Sequence, residues 1–186
     1  MQRIVILGCS GGGKSTLARA LSARLGLPIV HLDYLFWQPG WVESDRASFR
    51  ARLADALVGD HWITDGNFSN TFDLRLPRAD TIILVQQPRT LCIRRALMRV
   101  VRWYGRSRPD LAPGCPERFD FAFLRYIWNF ERTTLPRILQ GIAAEGAHAR
   151  FVHLRSDGDI ARFLATVAPA DDRMAQGAPP QRIPGP

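Results

Sequence analysis

Lysine is almost missing from this chain. Of 25 Lys and Arg residues, Lys14 is the one lysine and all the others are arginine. The two cations are not interchangeable. Arginine carries a planar fork of donors, whereas lysine is a compact point charge on a flexible stem. A chain that uses arginine everywhere else keeps its lysine where a small ammonium has to fit. The scarcity also excludes the Asn-Lys-x-Asp signature by which G-domains read guanine, because Lys14 belongs to another motif. Cysteine is nearly as scarce. Cys9, Cys92 and Cys115 are odd in number, far apart and without metal-ligand spacing. They argue against a disulfide framework and suit a reduced cytoplasm. Long apolar runs are missing too, and no stretch approaches the roughly 18–20 residues of a membrane helix. The N-terminus opens directly on strand-like residues, so no signal peptide is expected. Acids are outnumbered, 17 against 25 cations, which leaves a net charge of +8. That excess implies an anionic partner: a nucleotide, a phosphorylated metabolite or a nucleic acid. No internal repeat is visible, and 186 residues suit one domain with a sizeable core.

Glycine, by contrast, is concentrated where it matters. Gly8-Cys9-Ser10-Gly11-Gly12-Gly13-Lys14-Ser15 matches G-x-x-x-x-G-K-[ST], the phosphate-binding P-loop. Arg3-Ile4-Val5-Ile6-Leu7 before it reads as a buried parallel strand, and Leu17, Leu21 and Leu25 after it recur at helical spacing. The glycines let backbone N–H groups turn towards an anion, and the helix N-terminus adds partial positive charge. Gly8, Gly11, Gly12, Gly13, Lys14, Ser15 and Thr16 form the expected nucleotide-binding set. Lys14 reaches the terminal phosphates and Ser15 offers its hydroxyl to Mg²⁺.

Apolar strand runs alternate with helical patterns along the rest of the chain, the α/β signature. Further strands are expected at 29–32, 62–64, 81–85 and 150–154. Helices are expected after Ser44 as cap, from Pro88, over 119–145 with an interruption near 133–136, and after Ser156 as cap. Residues 1–168 read as one P-loop domain. Residues 169–186, rich in Pro, Gly and Ala, read as a disordered tail. Parallel sheets bind ligands beyond the carboxyl ends of their strands. Three of those ends carry chemistry: the P-loop, Asp33 and Asp65. Asp65 closes an apolar strand, as a second Mg²⁺ ligand does, although a turn aspartate before Gly66 is the plainer alternative. Asp33 is placed to orient an acceptor hydroxyl or take its proton, or else to cap a loop. His31 reads as structural.

Between Pro88 and Pro109 lie seven arginines and no acid. Arg95, Arg99, Arg102 and Arg106 recur as one helical stripe, with Arg108 beyond. Three readings stay open: a solvated face, a clamp on transferring phosphate, or a grip on a nucleic-acid backbone. Phe36, Trp37 and Trp41 could stack a base or cover the sheet end. A small α/β P-loop domain with an Arg-rich excursion after its fourth strand points to a phosphoryl-transfer kinase acting on an unidentified acceptor. A nucleotide-dependent nucleic-acid-binding protein and an acceptor-independent ATPase are the alternatives.

Several motifs carry a resemblance to a known group. They are His31-Leu32-Asp33 with Phe36-Trp37 and Pro39-Gly40-Trp41, Trp62 through Phe68, Arg106 through Asp110, Gly114 through Asp120, and Ile127-Trp128-Asn129-Phe130. Over residues 2–167 the chain resembles the adenylate-kinase-related P-loop proteins, and within them the topology modulation protein (FlaR-like) subgroup. The resemblance implies a five-stranded parallel sheet of order 2-3-1-4-5, ATP as donor, Mg²⁺, and a lid over the phosphates at about 105–120. It implies that Arg95, Arg99 and Arg118 neutralise transferring charge and that Arg155 lies near the adenine. Adenylate kinases carry D-G-F-P-R after the third strand. Here Asp65-Gly66 continues as Asn67-Phe68-Ser69, which leaves Arg75 or Arg78 to stand in for the missing substrate-phosphate arginine.

Overall fold

A computed structural model describes residues 1–108 and 110–169. The expected tail falls almost wholly on 170–186, outside the described residues.

Five parallel strands form the central sheet: β1 (Arg3–Gly8), β2 (Ile29–His31), β5 (Trp62–Asp65), β6 (Thr81–Val85) and β7 (Arg150–Leu154). Their spatial order is β2-β5-β1-β6-β7. Two short strands, β3 (Trp37–Gln38) and β4 (Val42–Glu43), pair as a separate antiparallel hairpin. With that hairpin set aside, the sheet strands run 2-3-1-4-5, as the resemblance implies. β1 is the middle strand, in register with β5 (Ile4 opposite Ile63) and with β6 (Ile6 opposite Ile83).

A strand buried on both faces reads as a continuous apolar run, and the packing shows why. Ile4 and Ile6 turn to one side, where Leu17 and Leu21 of α1 (Lys14–Leu25) and Phe163 of α8 (Asp157–Thr166) cover them. Val5 and Leu7 turn to the other side. There they meet Phe49 and Leu53 of α3 (Arg46–Ala56), Ala96 of α5 (Arg89–Trp103), Ile127 and Phe130 of α6 (Phe121–Thr133) and Ile138 of α7 (Leu135–Glu145). The result is three layers with the sheet in the middle.

Several local expectations shift. The aromatic segment after β2 is regular: it contains α2 (Leu32–Phe36) and the hairpin. Asp45, not Ser44, caps α3, its carboxylate accepting from Ser48 N–H at 2.9 Å. Ser44 donates instead to the Phe36 carbonyl at 2.6 Å. The helical material after Phe119 does break, at Thr134, where α6 hands over to α7 with Pro136 in its first turn. Arg102 and Arg106 are exposed, whereas Arg95 and Arg99 are half-buried. The arginine stripe is therefore split: α5 bends no charge inward beyond one narrow seam at i, i+4. A helix α4 (Phe72–Arg75) follows a single 3-10 turn after β5.

The Gly- and Pro-rich excursion between α5 and α6 is tied down. Gly105 N–H donates to the Glu117 carbonyl and Glu117 N–H to the Arg106 carbonyl, both at 3.0 Å. Its outer part docks on the hairpin, with Gly40 N–H on the Gly114 carbonyl at 2.7 Å and Trp41 Nε1 on the Pro116 carbonyl at 2.8 Å.

Candidate active site

The phosphate loop is shaped by what presses on it. Gly8 sits at φ +138°, and a Cβ there would lie 2.0 Å from the Val85 carbonyl oxygen. At Gly11, φ +79°, a Cβ would lie 2.3 Å from the Cys92 carbonyl oxygen. Only glycine fits between β1, β6 and the start of α5 at these two points. Gly13 closes the loop as the N-cap of α1, in the left-handed region. Cys9's carbonyl gathers the loop from inside, accepting from Gly12 N–H and from Lys14 Nζ, each at 3.1 Å.

The loop opens on a cavity of about 1160 Å³. Gly11, Gly13, Lys14, Ser15 and Thr16 line it, and so do Asp33, Asp65, Arg95, Arg99 and Arg118. Gly8 and Gly12 lie behind the loop and set its shape. Arg155 is not on the cavity wall. It is exposed in the turn after β7, with its N–H on Asp159 at 2.8 Å and its guanidinium 3.5 Å from His153 Nδ1.

Asp65 is buried at the end of β5, beside Lys14 and Ser15. Burial alone would raise its carboxyl. The hydrogen bond from His31, the charge of Lys14 and the hydroxyl of Ser15 together outweigh that, and the group is held below its ordinary value. His31 Nδ1 stands 3.2 Å from Asp65 Oδ2. So the histidine read as structural orients the candidate metal ligand. The other oxygen, Oδ1, is buried with no hydrogen-bond partner. An ionised, partnerless carboxylate oxygen beside a P-loop serine hydroxyl is the donor set a Mg²⁺–polyphosphate complex takes up, since that ion binds through one or two carboxylates, hydroxyls and phosphate oxygens.

Asp33 projects from α2. Its side chain is exposed, but onto the cavity, and protein surrounds it closely. That crowding raises its carboxyl above the ordinary value, and the Asp65 charge adds to the effect, while Lys14 and Arg108 pull it down. The two carboxylates are thus pushed apart, one easily ionised and one reluctant, which is how acid–base roles are divided in active sites.

The arginines sort by their partners. Arg95 Nη2 is 2.6 Å from Asp157, which also accepts from Gln87 Nε2 at 3.2 Å. Arg99 Nε and Arg108 Nε reach the same oxygen of buried Glu117, at 3.1 and 2.5 Å, and Arg108 also pairs with Asp110 at 2.9 Å. Arg118 lies over the Trp41 ring at 6.0 Å. Neither stand-in for the missing substrate arginine serves. Arg75 is fully buried and donates to the carbonyls of Gly66, Asn67 and Phe68, its guanidinium lowered by burial to about 9. Arg78 donates to the carbonyls of Leu57 and Gly59. Both brace backbone. Two cavity arginines that the sequence did not single out are Arg19, on α1, and Arg137, on the first turn of α7.

Asn67 was also missed. Its Oδ1 accepts from Gly8 N–H at 2.9 Å, and its Nδ2 donates to the Gly8 carbonyl at 3.0 Å and to the Tyr126 hydroxyl at 3.1 Å. One amide thus fixes the entry of the phosphate loop against β5 and α6. This explains what the residue after Asp65-Gly66 does where adenylate kinases have another.

The shikimate kinase of Acinetobacter baumannii, solved in complex with shikimate, superposes with a TM-score of 0.54 at 14% identity, covering 96% of each chain. A gluconokinase from Sinorhizobium meliloti 1021 superposes at 0.50 with 17% identity, over 95% of this chain and 98% of its own. The fold is that of the P-loop kinases. In sequence, an uncharacterised Bacillus subtilis (strain 168) protein, YqaC, is 31% identical over 108 residues, 56% of this chain and 60% of that protein's length. No protein-family profile matches the chain. No helix among the described residues is long and apolar enough to cross a membrane.

Proposed function

We propose that this P-loop protein is an ATP-dependent phosphotransferase that moves the γ-phosphoryl group to a hydroxyl of a small molecule or nucleotide. The observation that carries this is the convergence of Lys14, Ser15, Asp65 and Asp33 on one cavity wall, with the two carboxylates pushed in opposite directions. The loop N–H groups and Lys14 would hold the β- and γ-phosphates. Ser15 and Asp65 would hold Mg²⁺, which when bound neutralises phosphate charge. The nucleotide's own phosphate oxygens would complete the ion's coordination. Asp33 would orient the acceptor hydroxyl and receive its proton as the oxygen bonds to the γ-phosphorus and ADP leaves. Arg99 and Arg118 stand on the same wall to offset charge spreading over the transferred oxygens. On this reading the protein would belong to the adenylate-kinase-related line and its topology modulation subgroup, which the motif residues quoted above support, and would work in the cytoplasm.

The nucleic-acid alternative has a narrower footprint than the sequence suggested, because Arg95 and Arg99 turn into the cavity, Arg94 and Arg102 are the exposed arginines of α5, and Arg106 is exposed just beyond it. The deciding experiment is ADP release from Mg-ATP with a panel of nucleosides, nucleoside monophosphates and hydroxylated metabolites, using wild type and Lys14→Ala. The proposal expects one acceptor class to stimulate release and the variant to lose it while remaining folded. Retained transfer in Lys14→Ala would overturn it. Release without any acceptor would mark a plain ATPase.

A further inference from the structure

Among the described residues, Asp65 and Glu117 are the buried acids of the cavity wall, and the transfer uses only the first. Glu117 lies on the returning limb of the excursion between α5 and α6. Its backbone is held on both sides: its N–H donates to the Arg106 carbonyl and its carbonyl accepts from Gly105 N–H, both at 3.0 Å. Trp41 Nε1 takes the preceding carbonyl, that of Pro116, at 2.8 Å. The carboxylate is therefore presented to the cavity from a fixed backbone.

What it holds is a pair of like charges. Glu117 Oε1 is 3.1 Å from Arg99 Nε and 2.5 Å from Arg108 Nε. All three atoms are buried and none makes an aligned hydrogen bond, so the contact is ionic. Burial, then the Arg108 charge, lowers Arg99, and Glu117 opposes both. Without the carboxylate two crowded guanidiniums would be left uncompensated. The edge that is engaged matters as well. A guanidinium presents its five N–H groups as a planar fork. Nε of each arginine is turned to Glu117, and Arg108 Nη1 donates to Asp110 at 2.9 Å. Both Nη groups of Arg99 and Nη2 of Arg108 are left without a partner among the described residues, on side chains that line the cavity. The Phe123 ring, 5.5 Å from Arg99 Cζ, backs one of the two forks. Lys14 and Arg108 both act on the Asp33 carboxyl, so Asp33 stands within reach of the loop's ammonium and of this pair.

We propose that Glu117 is a positioning residue: one carboxylate oxygen holds the Nε edges of Arg99 and Arg108, and so turns their free Nη groups together onto the γ-phosphate of ATP. This rests on the function proposed above and adds what sets the aim of the arginines. Guanidinium forks match phosphate oxygens, and two forks held side by side contact more of them than one. ADP ends one phosphate short and gives the pair nothing to grip. Glu117 therefore contributes to the recognition of the terminal phosphate, while the hold on the rest of the nucleotide belongs to the loop.

The test is the affinity for MgATP set against that for MgADP, measured by isothermal titration calorimetry, which needs no acceptor. Glu117→Gln keeps the shape and removes the charge. It should bind MgATP about tenfold or more weakly, a loss of ~1.4 kcal/mol or more, and bind MgADP as wild type does. Intact MgADP binding also shows that the variant is folded. Should Glu117→Gln bind neither nucleotide, the comparison is read in Glu117→Asp, which keeps the charge and draws it back by one methylene; there too MgATP alone should weaken. Unchanged MgATP affinity, or matching losses of MgATP and MgADP in both variants, would overturn the proposal. A wild type that binds neither nucleotide would instead overturn the function proposed for the loop, and with it the target of the two arginines.

Discussion

Asp33 is the residue on which rate should turn. Asp33→Asn keeps the shape of α2 but removes the base, so kcat should fall by about 10²–10⁴-fold with ATP affinity little changed; an unaltered kcat would remove its role. A base works when deprotonated, so kcat/KM should rise with pH through the Asp33 value. Because the crowding protein around it and the Asp65 charge raise that value, the acid limb should lie above the ordinary carboxylate value of 3.8, and it should vanish in the variant. Lys14, Ser15, Asp33 and Asp65 were all legible in the sequence, because each sits within a few residues of a strand end and its neighbours announce the strand. Asn67 was not, since its partner Gly8 is 59 positions away and nothing local shows that an amide will grip a distant peptide. Arg75 misled for a related reason. Sequence shows that a residue is charged, and the α4 turn decides that the charge points into the core.

Among the elements, the excursion between α5 and α6 deviates most from expectation. A lid was anticipated at 105–120, and the segment is there, but Glu117 fastens it. Its side chain is 5% exposed and holds Arg99 at 21% and Arg108 at 13%. Removing one member of a buried ionic group leaves its partners uncompensated, at about 3–5 kcal/mol. Glu117→Gln should therefore lower the urea midpoint by a corresponding amount. A midpoint unmoved by the change would show that the two arginines find other partners. Helix and strand positions here were readable from apolar spacing. The hairpin β3–β4 was not, because two-residue strands have no period. Its pairing depends on docking to Gly114 and Pro116, far along the chain. The helix caps show the same limit at short range: Ser44 and Asp45 are both good caps, and the demand of the Phe36 carbonyl for a donor decides between them.

For the whole molecule, acid should weaken the fold, and Asp80 gives the sign. Burial would raise its carboxyl, but the Arg3 N–H, the Thr81 hydroxyl and the Gln2 N–H outweigh that and hold it below 3.8. Its contribution is complete at neutral pH and is lost as the pH falls through that value. Asp65 behaves alike, lowered by His31 and Lys14 against burial. Asp33 acts oppositely: its raised carboxyl favours the fold at low pH, and that share disappears as the pH rises through its value. Asp45, Asp73 and Asp159 are lowered as well, so with five carboxyls against one, denaturation midpoints should drop between neutral pH and about pH 3, and Asp80→Asn should flatten the curve. An equally steep curve in the variant would assign the effect elsewhere. The three-layer architecture itself was foreseeable from the alternation of strand runs and helical patterns, since parallel strands need helices on both faces.

The near-absence of lysine has a practical side. Primary amines in this molecule are reduced to two, Lys14 Nζ and the N-terminal amine, which lies 3.9 Å from Asp80. Any acylating reagent, crosslinker or amine-coupled sensor surface must therefore take either the chain's first residue or the one side chain at the phosphate loop. Tethering chemistry aimed at amines would act as an affinity label, and a bound nucleotide would shield the protein from it.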